Sequence, residues 1–188
     1  MNTCISLETF LKRGRQGFNL VPISRKYLGD LETPLSVYLK LCDFPNTFLF
    51  ESVVGGERFG RYSFIGLPAE KKIEVWGDDV TLFKKKEILE KATCEPLKFI
   101  ENYISKFSPS PEVYDLPRFC GGLAGYFGYD VVRLIEPRLK KNIREKDNNL
   151  LIPDILLLEV RDLIVFDNYS GELTLIIFAD PQENDAYD

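Results

Sequence analysis

Three apolar runs near the end of the sequence place the strongest constraint on the fold. They are Ile155–Val160, residues 163–166 and residues 173–178, and each consists almost entirely of aliphatic and aromatic side chains. The last two flank residues 167–171, DNYSG, whose composition is typical of a turn. Because the runs are apolar at consecutive rather than alternate positions, we predict a hairpin of strands that are buried on both faces.

The composition indicates a globular protein and argues against several classes of partner. With 45% hydrophobic residues, the 188-residue chain can bury a sizeable core, in one domain or in two small ones. The net charge of −5 argues against nucleic acid and against an anionic membrane surface as partners. No apolar run reaches the roughly eighteen residues of a membrane span, and the first residues lack the features of a secretion signal. The expected location is therefore the cytoplasm.

The sequence has no histidine and four scattered cysteines, which limits the chemistry of the chain. Without a CxxC pair the cysteines lack the short spacing of metal and redox motifs, so we expect reduced, mostly buried thiols. The absence of histidine excludes Ser-His and Cys-His nucleophilic catalysis and histidine-based zinc sites. The chain is therefore poorly equipped to be an enzyme alone.

Residues 46–66, NTFLFESVVGGERFGRYSFIG, predict two strands joined by a charged turn. An apolar run at Phe48–Phe50 is followed by the pair Gly55-Gly56, which permits a tight reversal, and by a second strand pattern at residues 62–65. The aromatic and aliphatic side chains of the two strands, Phe48, Phe50, Phe64 and Ile65, could line a slot for an aromatic ring.

The polar residues of this stretch form the candidate binding site. Together with the guanidiniums of Arg58 and Arg61 they could hold a zwitterion, in which Glu51 binds the ammonium group and Ser52 and backbone amides bind the carboxylate. A surface hairpin with a solvated ion pair is the alternative, and the residues taken alone favour it.

The glycines of residues 119–137, FCGGLAGYFGYDVVRLIEP, predict close packing and not nucleotide binding. Gly122, Gly125 and Gly128 recur at every third position, but neither GxGxxG nor GxxxxGK[ST] is present. Glycines in a strand usually mark a bulge or a neighbouring element packed against the backbone. We expect a strand followed by a short helix that ends before Pro137.

Elsewhere the sequence predicts three helices, an edge strand and a second hairpin. The helices start after Ser6, at Thr33-Pro34 and at Pro96, and the edge strand lies within residues 18–28. The hairpin turns at residues 77–79. In the second helix we expect one apolar face made of Leu35, Tyr38, Leu39 and Leu41.

Four motifs in order resemble the N-terminal region of anthranilate synthase component I. They are LETPLSVYLKL at 31–41, FESVVGGERFGRYSFIG at 50–66, GGLAGYFGYDVVRLIEP at 121–137 and PDILLLEVRDLIVF at 153–166. Together they extend over most of the chain. The aminodeoxychorismate and isochorismate synthases are similar, but the first two motifs look most like the anthranilate branch.

The resemblance implies a role in the first committed step of tryptophan biosynthesis. Family members convert chorismate to anthranilate and pyruvate with Mg²⁺, using ammonia from a glutamine amidotransferase subunit, component II. Their chorismate- and Mg²⁺-binding residues lie in a C-terminal half without a counterpart in residues 1–188. The resemblance therefore implies no catalytic residue, metal ligand or cofactor in this chain, and no activity of the chain alone.

The resemblance implies that this chain corresponds to the regulatory and scaffold region of the family, which contains the L-tryptophan feedback site. The inhibitor-binding residues of the family map here onto Glu51, Ser52, Arg61, Tyr62 and Ser63. The implied inhibition is allosteric, because the reacting groups lie elsewhere in the full enzyme.

The expected fold class is α+β, a mainly antiparallel β-sheet sandwich with packed helices, as in the N-terminal part of the anthranilate synthase component I fold. The resemblance implies strands from both halves of the full enzyme. We therefore expect Ile155–Val160 and residues 173–178 to lack neighbours here, and the chain to self-associate through these edges. Three alternatives stay open: an aminodeoxychorismate synthase component I fragment, a non-catalytic module that binds an aromatic amino acid, and a module that docks the amidotransferase.

Overall fold

The computed structural model describes residues 5–51, 60–136, 138–139, 151–183 and 186–187. The chain divides into two compact units, each built from separate stretches of sequence. Unit 1 comprises Met1–Ala69, Phe107–Gly122 and Val160–Asp188, and unit 2 comprises Glu70–Lys106 and Leu123–Glu159. Each unit is organised around one five-stranded sheet with packed helices, which confirms the α+β class.

Ten strands and four α-helices lie within the described residues. The strands are β1 Val21–Leu28, β2 Phe48–Phe50, β3 Tyr62–Gly66, β4 Lys71–Trp76, β5 Asp79–Lys84, β6 Glu87–Thr93, β7 Gly122–Phe127, β8 Ile155–Val160, β9 Asp162–Asp167 and β10 Glu172–Ala179. The helices are α1 Leu7–Arg15, α2 Pro34–Leu41, α3 Pro96–Ile104 and α4 Val132–Ile135. Short 3₁₀ helices occupy Pro111–Asp115 and Tyr129–Val131.

The sheet of unit 1 has the strand order β1-β10-β9-β3-β2, and its neighbouring strands are antiparallel. The predicted hairpin of β9 and β10 is present, and Gly171 takes the positive φ of 69° that its turn requires. The predicted edge position of β1 is confirmed, which is where Pro22 is tolerated because it cannot donate to a ladder. The predicted pairing of the two strands in residues 46–66 is also confirmed, with Phe48 opposite Gly66.

The expectation that two C-terminal strands lack neighbours is wrong. In unit 1, β10 lies between β1 and β9, and in unit 2, β8 lies between β4 and β7. The chain itself supplies both partners of each strand, so the predicted self-association cannot depend on these edges.

Helix α2 packs on one face of the unit 1 sheet, and of its predicted apolar face only Tyr38 packs against that sheet. Thr33 and Ser36 form a capping box at its start, as the Thr33-Pro34 pattern predicts. Val37 and Cys42 are buried against Ile65 and Ile164. The exposed side chains are those of Leu35, Leu39 and Leu41, which the sequence pattern had assigned to the buried face. Apolar side chains lie on both the buried and the exposed sides of α2, so the hydrophobic pattern of the sequence does not reveal which side packs on the sheet.

The sheet of unit 2 has the order β6-β5-β4-β8-β7. Its β4–β5 hairpin turns at Gly77, which has a positive φ of 61°, as the sequence predicts. A buried polar cluster joins three elements of this unit. The carboxylate of Glu159 in β8 is 5% exposed, accepts a hydrogen bond from Tyr103 in α3 and lies 3.6 Å from the ammonium of Lys71 in β4.

Of the glycines predicted to permit close packing, Gly125 in β7 and Gly128 directly after the strand do so, and Gly122 does not. A Cβ on Gly125 would lie 1.9 Å from the carbonyl oxygen of Leu156 in the neighbouring strand β8. Gly122 faces open space but has a φ of 109°, which other residues rarely adopt. Among the described cysteines, Cys42 is buried, while Cys94 and Cys120 are half-buried, and all three thiols are free.

Candidate functional site

A cavity of about 450 Å³ lies within unit 1 and is named here the unit 1 pocket. The face of the sheet opposite α2 forms its floor, because alternate residues of a strand point to the same side. Residue 5 and the segment 112–117 provide the other walls. The lining residues are Ile5, Pro22, Ser24, Lys26, Arg61, Tyr62, Glu112, Asp115, Leu116, Pro117, Val165, Asp167, Ser170, Glu172 and Thr174.

Two ion pairs lie along one side of this pocket. The Arg61 guanidinium donates from Nε and Nη2 to the same Asp167 oxygen at 2.9 and 2.7 Å, and its Cζ lies 4.9 Å from the centre of the Tyr62 ring. The Lys26 ammonium donates to Glu172 at 2.5 Å. Since Glu172 and Asp167 lie directly opposite each other on β10 and β9, the four charges form a row across the sheet. This row offers both signs of charge to a small ligand.

The structure brings only part of the predicted site into the pocket. Arg61 and Tyr62 line it. Ser63 points to the other face of the sheet, where it is 1% exposed and accepts a hydrogen bond from Asn168 at 3.0 Å. Glu51 directly follows β2, is exposed and does not line the pocket, and Ser52 lies outside the described residues. The expected aromatic slot is also divided between the two faces, because Ile65 packs against α2.

The turn between β9 and β10 fixes the backbone around Arg61. The side-chain amide of Asn168 donates to the carbonyl of Gly60 and to the hydroxyl of Ser63, each at 3.0 Å. The backbone N–H of Asn168 donates to the carbonyl of Arg61 at 2.7 Å. Ser63 therefore acts on the pocket indirectly, because its hydrogen bond with Asn168 anchors strand β3, which begins directly after Arg61.

Sequence reasoning missed the polar residues that β1 and β10 contribute to the floor. These are Ser24 and Lys26 on β1, and Glu172 and Thr174 on β10. In each strand they are two positions apart, which places them on one face. That spacing was a usable signal, but it does not show that two strands 146 positions apart in sequence become neighbours.

The described residues hold no group of three or more cysteine and acidic side chains that could bind a metal ion. No described helix has the length and apolar character needed to span a bilayer.

The Arg61–Asp167 pair makes stability depend on pH. Burial alone would raise the pKa of the Asp167 carboxyl, but hydrogen bonds from Arg61 and from the backbone of Tyr169 and Ser170 outweigh it and hold that pKa below its ordinary value. A lowered carboxyl pKa stabilises the folded state above the unfolded-state pKa of about 3.9, and this contribution is lost as the pH falls through the folded-state value.

We therefore expect Asp167→Asn to destabilise the chain most above about pH 5, with the difference from the unsubstituted chain shrinking below about pH 4. Urea unfolding at a series of pH values measures this difference. The matched control is Asp43→Asn at an exposed position, which should leave the profile unchanged. A difference for Asp167→Asn that stays constant down to pH 2 would contradict the pairing.

The fold and the pocket define an α+β protein whose unit 1 contains a cavity lined by charges of both signs. No family model matches the chain. Among curated relatives it is 48% identical over 187 residues to anthranilate synthase component 1 of Neisseria gonorrhoeae, covering 98% of this chain and 38% of that protein. It is 44% identical over 182 residues to anthranilate synthase component 1 of Pseudomonas aeruginosa, covering 96% of this chain and 36% of that protein.

A comparison of structures finds a crystal structure of anthranilate synthase component I from Streptococcus pneumoniae TIGR4. It has a TM-score of 0.47 and 20% identity, and the match covers 86% of this chain and 32% of that one. The chain thus spans between a third and two fifths of the length of the curated relatives it matches. The chain is a homologue of anthranilate synthase component I and matches its N-terminal region, which confirms the resemblance read from the four motifs.

Proposed function

We propose that this chain is the regulatory and scaffold region of anthranilate synthase component I, and that the unit 1 pocket binds L-tryptophan as a feedback inhibitor. The observation that carries the proposal is that Arg61 and Tyr62, both from the motif at residues 50–66, line a cavity large enough for an amino acid. This supports the zwitterion interpretation of that motif over a solvated surface hairpin.

The lining of the pocket suits the two ends of tryptophan. Pro22, Leu116, Pro117 and Val165 supply apolar surface for an indole ring. At the charged end, Asp167 uses only two of the five N–H donors of Arg61, which leaves others for the carboxylate of the ligand.

The remaining predicted residues complete the proposed site in different ways. The assignment of Glu51 to the ammonium and of Ser52 to the carboxylate of the ligand rests on the motif alone, because Glu51 does not line the unit 1 pocket and Ser52 lies outside the described residues. Ser63 acts through Asn168, as its hydrogen bond supports.

The activity of the whole enzyme is part of the same proposal. In this proposal, the chain is one region of a cytoplasmic enzyme and is inactive alone. The whole enzyme converts chorismate to anthranilate, requires Mg²⁺ and docks the glutamine amidotransferase. The term component 1 in the names of the relatives supports a partner component. We propose self-association through the edge strands of the two sheets, which among the described residues are β1, β2, β6 and β7.

A second candidate is a binding module for an aromatic amino acid without any catalytic assembly. The observation that favours it is that the whole pocket lies within unit 1. An aminodeoxychorismate synthase fragment is a further alternative, and the identities of 44–48% to anthranilate synthases favour the anthranilate branch.

Titration calorimetry of the purified chain with L-tryptophan tests the pocket. We expect saturable binding, weakened about tenfold or more by Arg61→Ala, because a hydrogen bond to a charged group is lost. The control Arg15→Ala removes the same charge from an exposed position on α1 and should leave the affinity unchanged. No binding by the unsubstituted chain, or equal affinity for the Arg61→Ala variant, would contradict the proposal.

Chorismate turnover assayed with ammonia and Mg²⁺ tests the other part of the proposal. We expect no anthranilate from the chain alone, and measurable turnover would refute the assignment of the reacting groups to the rest of the enzyme.

A further inference from the structure

Helix α2 carries leucine side chains on its solvent-facing side. Leu35 is 50% exposed and Leu39 is 69% exposed, and because they are one helical turn apart they lie next to each other along the helix. Val37 is buried and packs on the unit 1 sheet, so the helix cannot turn its leucines toward that sheet without exposing Val37. A surface helix normally presents polar residues on its outer side.

The exposed apolar side chains continue beyond both ends of this helix. Leu31, in the turn before α2, is 97% exposed, and Phe44, shortly after its end, is 64% exposed. Single exposed apolar side chains are ordinary in folded proteins, whereas several in succession mark an interaction surface. Covering them releases the water that they order, which favours association. The name α2 surface is used here for Leu31, Leu35, Leu39 and Phe44.

A row of polar side chains runs beside the leucines of α2 and carries opposite charges at its two ends. Glu32 lies at the start of the row and Lys40 lies eight positions later, with Ser36 between them. The Ser36 hydroxyl donates to the Glu32 carboxylate at 2.5 Å, and the Lys40 ammonium donates to the same carboxylate. The charge along the row therefore changes from negative at the start of the helix to positive at its end.

We propose that the α2 surface docks a second copy of this chain, with the two α2 helices antiparallel about a two-fold axis. Such an axis places Leu35 of one copy beside Leu39 of the other, and Glu32 of one copy beside Lys40 of the other. A parallel arrangement would instead bring like charges together. The charges of α2 are thus complementary to those of a second α2, which is the reason for choosing this occupant.

This contact uses a different part of the molecule from the pocket and from the edge strands. The unit 1 pocket lies on the sheet face opposite α2, so the inference does not depend on the proposed function. The dimer should be weak, because α2 has only eight residues and a standard interface buries roughly 800 Å² on each partner.

Sedimentation velocity of the purified chain at about 1 to 500 µM tests this contact. We expect the sedimentation coefficient to rise with concentration toward that of a dimer. Leu35→Gln and Leu39→Gln should each weaken the dimer about tenfold or more, because glutamine keeps the helix propensity but loses the apolar contact. The matched control is Leu11→Gln, at a leucine of α1 that is 42% exposed, and it should leave the dissociation constant unchanged.

Exchange of the two charges tests the antiparallel arrangement. Glu32→Lys should weaken the dimer about three- to tenfold, because it places a lysine beside Lys40 of the second copy. The double variant Glu32→Lys/Lys40→Glu pairs opposite charges again and should recover most of the lost affinity. A double variant as weak as Glu32→Lys alone would overturn the antiparallel arrangement.

A readout on the monomer separates docking from a structural role of the leucines. Because Leu39 is already 69% exposed, Leu39→Gln should keep the midpoint of urea unfolding at about 1 µM, where the chain is monomeric. A chain that stays monomeric at every concentration would overturn the inference. A dimer that neither Leu35→Gln nor Leu39→Gln weakens would also overturn it and would assign self-association to the edge strands. Neither outcome affects the proposed binding of tryptophan.

Discussion

Replacing Gly125 with alanine is expected to lower the free energy of unfolding by about 3 kcal/mol or more. The added Cβ would lie 1.9 Å from the carbonyl oxygen of Leu156 and 2.9 Å from its carbonyl carbon. Both atoms belong to the backbone of β8, so neither can move aside without disturbing the pairing of β8 with β4. Urea unfolding followed by circular dichroism measures the loss.

The matched control for this substitution is Gly77→Ala in the turn between β4 and β5. Gly77 has a φ of 61° and open space around it, so alanine there is strained only by its backbone conformation, at a cost of about 1 kcal/mol. A Gly125→Ala variant no less stable than Gly77→Ala would show that β7 does not pack against β8 as described.

The second large effect is expected at Glu159, where alanine should cost about 3 kcal/mol. The substitution leaves the hydroxyl of Tyr103 without the carboxylate that accepts its hydrogen bond, and leaves the Lys71 ammonium without its buried counter-ion. It also removes side-chain volume from a site that is 5% exposed. Thermal and urea unfolding at neutral pH measure the effect.

Two further variants separate the causes of this loss. Tyr103→Phe removes only the hydroxyl and should cost about 1 kcal/mol. Glu101→Gln breaks the ion pair between Glu101 and Lys98, in which both side chains are more than 60% exposed. The free energy of unfolding of this variant should stay within about 0.5 kcal/mol of that of the unsubstituted chain. Equal effects of Glu159→Ala and Glu101→Gln would be evidence against the buried cluster.

The sequence predicted those elements whose residues carry local signals. The capping pattern at Thr33-Pro34 specified the start of α2, and the two apolar runs around residues 167–171 specified the hairpin of β9 and β10. The edge position of β1 followed from Pro22, because proline lacks the N–H that an inner strand needs. In each case the information lies within about ten neighbouring residues.

Other features were missed because nothing local encodes them. Strand β6, EILEKAT, is exposed at most positions and shows no alternation, since it is held at the edge by pairing with β5 and not by burial. The buried side of α2 depends on where the sheet lies, which its leucines do not reveal. The pocket depends on the pairing of β1 with β10, and neither strand taken alone specifies its partner.

The order of synthesis gives this pairing a consequence for how the protein reaches its native state. Lys26 leaves the ribosome long before Glu172, which follows it by 146 positions, so β1 cannot pair in the sheet until its neighbour β10 has been synthesised. Pairing between strands so far apart in sequence slows folding, because the entropy cost of closing a long loop comes before any stabilising contact forms. Until residues 172–179 have been synthesised, the backbone groups of residues 21–28 that pair with β10 in the native sheet therefore have no partner.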